Sequence, residues 1–91
     1  MKTYLISYDL RDKTYFDYTK LIEYIKSYGT WAKPLESLWL IKTDEEIGAI
    51  RDNLSKSISS GDKIIVIEIT GMNWATFAIS DDVTDWMQRN V

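Results

Sequence analysis

The stretch that closes the fold is Lys63–Ile69, KIIVIEI: five of seven residues are β-branched strand formers, and only Glu68 interrupts the apolar run before its end. β-branched residues pack well on a pleated surface, and a nearly unbroken apolar strand is the pattern of a position covered on both faces. The sequence therefore predicts a central strand here. Ser59-Ser60-Gly61-Asp62 ahead of it reads as a turn. Before that turn, Ile47, Ile50, Leu54 and Ile58 recur at helical spacing and form a buried stripe. Thr43-Asp44-Glu45-Glu46 reads as the capping box that opens this helix, and Gly48 weakens it by about 1 kcal/mol relative to alanine. Downstream, Thr70-Gly71-Met72-Asn73 breaks the strand and Trp74–Ile79 reads as a short additional one. Ser80, Asp81 and Asp82 then start a final helical turn or two, with Val83, Trp86 and Met87 on one face.

Toward the N-terminus, Lys2–Tyr8 is rich in strand formers, with Tyr4, Ile6 and Tyr8 alternating against Leu5 and Ser7. Residues 9–14, DLRDKT, are charged turn formers and predict a loop. Tyr18, Leu21, Ile22, Ile25 and Tyr28 follow helical spacing; Thr14 or Asp17 can cap that helix, and Gly29 suits its end. Thr30–Lys42 is extended and holds the single proline, Pro34. A hairpin accounts for it, with an edge strand near Thr30–Lys33, a turn at Pro34–Ser37 and a strand over Leu38–Lys42; one long kinked strand is the alternative. The succession is β-α-β-β-α-β, then an extra strand and a short tail helix. This is an α+β, ferredoxin-like plan in one domain, residues 1–91.

Composition narrows the chemistry. There is no cysteine and no histidine, which excludes disulfides, thiolate nucleophiles, imidazole metal sites and Ser-His-Asp triads. Any reaction must use carboxylates, Lys, Arg, Tyr, Ser or a bound metal. A net charge of −3 disfavours tight non-specific binding of nucleic acid. Four Trp and six Tyr in 91 residues are many for a small core, and large aromatics are enriched at interfaces, so a homodimer is expected. Met1-Lys2-Thr3 leads straight into a strand and the longest apolar run is too short to span a bilayer. The expectation is a soluble, cytoplasmic protein with no membrane partner.

Several of these residues, in this order, resemble the CRISPR-associated protein 2 family, closest to a divergent, SinR-like branch. The first strand ends in Tyr8-Asp9-Leu10; Tyr28-Gly29 closes the first helix, with Trp31 shortly after; Ser37-Leu38-Trp39 is similar to the family's serine–aliphatic–aromatic strand. Thr43 and the strand over 62–69 fall where the family has its second helix and fourth strand, so the resemblance covers about residues 1–70. It implies a ferredoxin-like homodimer that acts on or holds nucleic acid. The aspartate ending the first strand would approach its symmetry mate and bind a divalent metal, and Trp74–Ile79 would be the strand that joins the partner's sheet. Some members are metal-dependent nucleases and others scaffolds. Family nucleases tend to carry several arginines near the first helix, whereas this chain has only Arg11, Arg51 and Arg89.

On that basis Asp9 is the candidate catalytic and metal residue, for Mg²⁺, which takes few carboxylates plus water and phosphate. The competing reading makes Asp9 a strand terminator, since aspartate is favoured in turns. Arg11 and Lys13 are the candidate phosphate contacts; as bland alternatives they balance Asp9, Asp12 and Asp17 in a solvated loop. Glu36 and Glu68 would extend a carboxylate cluster, although Glu68, inside an apolar strand, is better explained by a buried basic partner. Trp31, Trp39, Trp74 and Trp86 are assigned to the core or a dimer contact ahead of base stacking. The alternatives to a metal-dependent endonuclease are a non-enzymatic module that binds a protein partner, antitoxin-like or regulatory, and a small-nucleotide binder in a dimer cleft.

Overall fold

The computed structural model describes residues 1–11 and 15–91. Its elements are β1 (Lys2–Asp9), α1 (Tyr15–Lys26), β2 (Thr30–Leu35), β3 (Leu38–Thr43), α2 (Ile47–Ser55), β4 (Lys63–Glu68) and α3 (Asp81–Asn90). The four strands form one sheet in the order β2-β3-β1-β4, and every neighbouring pair is antiparallel. Strand β3 thus lies between β1 and β2, which α1 connects: a split βαβ arrangement. Thr14 and the Asp17 side chain, proposed as caps of α1, lie outside the described residues. At the other end of α1, Gly29 takes φ +101, a value glycine reaches without strain, and its N–H donates to the Lys26 carbonyl.

Alternation along β1 sorts the two faces. Tyr4, Ile6 and Tyr8 join Trp39 and Ile41 of β3 in the main core, beneath Leu21 and Ile25 of α1 and Ile50 and Leu54 of α2. On the opposite face, Ala32, Leu40 and Met87 form a second, smaller cluster, with Leu5, Val83 and Trp86 packed against it. Helix α3 builds that cluster by folding back beneath the sheet. Its docking is specified by polar contacts: Trp86 Nε1 donates to Thr30 Oγ1 at 2.8 Å, and the Thr3 hydroxyl donates to the Asn90 carbonyl. The tail helix is ten residues long rather than a turn or two.

Four further expectations are corrected. Strand β4 is an edge, not a central strand. Its apolar run has one covered face, Ile64 and Val66, and one open face, where Ile65 and Ile67 stay 54% and 45% exposed. Helix α2 starts at Ile47 with Glu46 as its cap residue, and no side chain caps it; Thr43 ends β3, its hydroxyl accepting from the Glu45 N–H at 3.3 Å. Pro34 sits within β2, leaving only Glu36 and Ser37 between the strands. Edge position and a register irregularity between Ala32 and Leu35 accommodate its missing N–H. Finally, Trp74–Ile79 is not a strand. Lining a groove with Leu5 and Leu40, it crosses the open face instead of running beside a free edge, so no ladder is within its reach.

Candidate functional site

Asp9 is the last residue of β1 and lies opposite Lys63, the first residue of β4. By alternation it shares the open sheet face with Leu5 and Ser7, whereas Tyr8 points into the core. Tyr8 is held there by Trp39 Nε1, which donates to its hydroxyl at 3.2 Å, while the Tyr8 hydroxyl donates to Tyr18 at 3.4 Å. Burial first, then the Tyr18 contact, raises the Tyr8 phenol to about 12, so this tyrosine is a neutral structural group. Ser7, Asp9, Lys63 and Ile65 help line a shallow depression of roughly 220 Å³.

The loop that follows is tied down at its base. The Arg11 N–H donates to Asp62 Oδ1 at 2.7 Å and the Ser59 N–H donates to Asp62 Oδ2 at 2.8 Å. These two bonds, Ser59 first and Arg11 second, hold the Asp62 carboxyl below its ordinary value. The Arg11 side chain lies over Gly61, where an added Cβ would come within 2.9 Å of its Cδ. Gly61 also has φ +92, a backbone conformation that favours glycine. Arg11 is exposed beside the end of β1, and no carboxylate pairs with it among the described residues. Lys13 lies outside the described residues.

The other acidic candidates do not join Asp9. Glu68 stands opposite Tyr4, five positions along the same ladder, which is about 17 Å away. It does have a basic neighbour, Lys2 at 3.9 Å, but both are exposed rather than buried. Glu36 faces Lys33 at 3.8 Å. Among the described residues no three His, Cys, Asp or Glu side chains gather as a metal site. Among the described residues the Asp62 carboxylate near the end of β1 is already committed to the Arg11 and Ser59 N–H groups, which leaves Asp9 as the candidate ligand there.

What the sequence reading missed is the surface around that carboxylate. Beyond Ile65 and Ile67, the open face continues into an apolar groove of about 380 Å³, lined by Leu5, Leu38, Leu40, Trp74, Phe77 and Met87 among others. Phe77 is 94% exposed, next to Ala78 at φ +60, an uncommon conformation for a residue with a Cβ. The signal was present in KIIVIEI, whose alternate isoleucines serve an uncovered face as readily as a covered one. Of the four tryptophans, Trp39 is fully buried and Trp86 anchors α3.

No family model and no curated protein matches this sequence. Among solved structures, the chain is similar to that of a hypothetical protein, TT1823, from Thermus thermophilus. The TM-score is 0.68 over 87% of this chain and 94% of that one, with 22% of residues identical. The likeness is one of fold. Among the described residues, no helix is long and apolar enough to cross a membrane.

Proposed function

We propose that the chain is a ferredoxin-like homodimer, similar to the CRISPR-associated protein 2 family, that holds or cleaves nucleic acid at a centre built from two copies of Asp9. One observation carries the reading: Asp9 lies on the same open sheet face as the exposed Ile65 and Ile67. Monomers rarely leave a contiguous apolar patch larger than a few hundred Å² uncovered. Ile65, Ile67, Leu35, Met72 and Phe77 together expose area on the order of the ~800 Å² per partner found in standard interfaces. A second copy of the chain fits this face because two such faces are self-complementary about a two-fold axis. Packing them would bring the two Asp9 carboxylates toward each other.

Two carboxylates suit Mg²⁺, which is commonly held by one or two of them plus water and substrate phosphate. When bound, the ion would polarise a phosphodiester and activate water. Asp9 would be its ligand in each copy. Arg11, with its backbone fixed by Asp62, would meet the phosphate, together with Lys13, two positions on in the sequence. The charge of −3 argues that the polyanion is gripped locally rather than by the whole surface. The reading carries a cytoplasmic location with it. A second reading, a dimeric module that binds a protein partner without catalysis, is supported by Lys63, whose position opposite Asp9 in the ladder puts a positive charge beside the place a metal would take.

Nuclease turnover with Mg²⁺ or Mn²⁺ on single-stranded RNA and duplex DNA tests the proposal. Asp9→Asn keeps the shape and removes the charge, so it should abolish metal-dependent cleavage while shifting stability by under about 0.5 kcal/mol. If the wild type neither cleaves nor gains thermal stability from millimolar metal, Asp9 is a strand stop and the interaction module takes over. Equal cleavage by both proteins would assign the activity elsewhere.

A further inference from the structure

The far edge of the sheet carries a cluster that the Asp9 centre does not use. Trp31 of β2 stacks obliquely on buried Trp39, with ring centroids 5.2 Å apart and planes at 59°. The Lys26 ammonium, in the last turn of α1, lies 4.9 Å from the Trp31 ring centre and 5.9 Å from that of Trp39. The Lys33 ammonium, from β2 itself, lies 5.3 Å from the Trp39 ring. Two cations thus converge on one pair of indoles in a chain of net negative charge. Glu36 is the one carboxylate in an ion pair with them among the described residues, 3.8 Å from Lys33, and it is 95% exposed.

Trp31 nevertheless remains 37% exposed. Strand addition does not explain that exposure, because Pro34 and the register irregularity block β2 from pairing with another strand. A depression of about 360 Å³ opens beside the ring, walled by Trp31, Lys33, Asp82, Val83 and Trp86. Its volume is at the lower end of the range for small-ligand sites. Asp82 stands on the α3 side and both lysines on the α1 side, since the two helices cover opposite faces of the sheet.

We propose that Trp31, Lys26 and Lys33 form a contact site for single-stranded nucleic acid, in which a base stacks on Trp31 and the adjoining phosphates meet the two lysines. An unpaired base is required because a paired one keeps its faces within the duplex. The aspartate repels the backbone from the α3 side, so the strand runs along the α1 side with its base turned toward the depression. Stacking and point charges do not read base identity, and no group in the cluster is placed to select a 2′-hydroxyl; oligo-dT and oligo-U should bind alike. This deepens the preceding reading by naming single strands as the ligand, but it uses none of the residues of the Asp9 centre.

The test is fluorescence anisotropy of labelled oligo-dT, oligo-U and a blunt duplex with the full-length chain, across a salt series, with chelator present. Both single strands should bind and the duplex should compete poorly. Trp31→Ala should weaken binding roughly 5- to 150-fold, with Trp31→Phe retaining most of it. Lys26→Gln and Lys33→Gln should each flatten the log–log salt dependence by about 0.7. The chelator keeps binding apart from metal-dependent cleavage, which separates this site from failure of the catalytic reading, and Lys56→Gln, at an exposed residue of neither site, should bind as the wild type does. If Trp31→Ala does not fold, the lysine variants decide. No single-strand binding at low salt, an unchanged salt slope in the lysine variants, full affinity in folded Trp31→Ala, or equal competition by duplex would each overturn the proposal.

Discussion

Replacing Ile65 and Ile67 together by threonine separates the stability of the single chain from that of the proposed dimer. Both side chains lie on the open face of β4 and are about half exposed in the isolated chain. Threonine keeps the branched Cβ that suits a strand, so the monomer should change by no more than about 0.5 kcal/mol. The dimer should respond differently. Fully burying an isoleucine is worth about 1.5–3 kcal/mol, and roughly half of that remains to be gained at each position, or about 1 kcal/mol. Two-fold symmetry doubles the pair, giving a loss on the order of 3–4 kcal/mol and a weakening of self-association by about 10²–10³-fold. Sedimentation velocity across a concentration series reads this directly. A melt at concentrations low enough to dissociate both proteins checks that the fold is intact, because melting of a dimer depends on concentration. Wild type that stays monomeric at high micromolar concentration, or a variant that associates as tightly as wild type, would refute the reasoning. The paired-Asp9 centre would fall with it.

Two further substitutions examine the interior and the loop. Ile25 on α1 is fully buried against the sheet, so Ile25→Asp should cost on the order of 4 kcal/mol and lower the melting temperature by tens of degrees or prevent folding; an unchanged melt would mean that this face of α1 is not the one inside. Asp62 has its carboxyl held below the ordinary value of 3.8 by the Ser59 and Arg11 N–H groups. Its contribution to stability is therefore present above about pH 4 and is lost as pH falls through the depressed folded value. Asp62→Asn should flatten the acid limb of a pH–stability curve in that window, and an identical acid limb in both proteins would remove Asp62 from the account.

The alternation of Tyr4, Ile6 and Tyr8, and the 3.6-residue spacing of Leu21, Ile25, Ile50 and Leu54, determined the strand–helix succession and nearly all of the main core. Such periodicities are local, and each element needs only one apolar face to reveal itself. Position in the sheet is different. KIIVIEI reads as central because it is apolar throughout, yet hydrogen bonding puts it at an edge beside β1. Nothing local distinguishes a face that its own chain covers from one left open. The same limit applies to Trp74–Ile79, whose residues suit a strand but which lies across a sheet face rather than beside the free edge of β4 or β2. Asp9 could be singled out from sequence as the end of β1, but its neighbours could not: Lys63 lies 54 residues away and reaches it only through the β1–β4 register. Likewise Lys26, Trp31 and Lys33 look unrelated along the chain until the end of α1 is laid over the β2 edge. Which charges meet is decided by the register and by the packing of helices on the sheet, both of which depend on contacts between residues far apart in sequence.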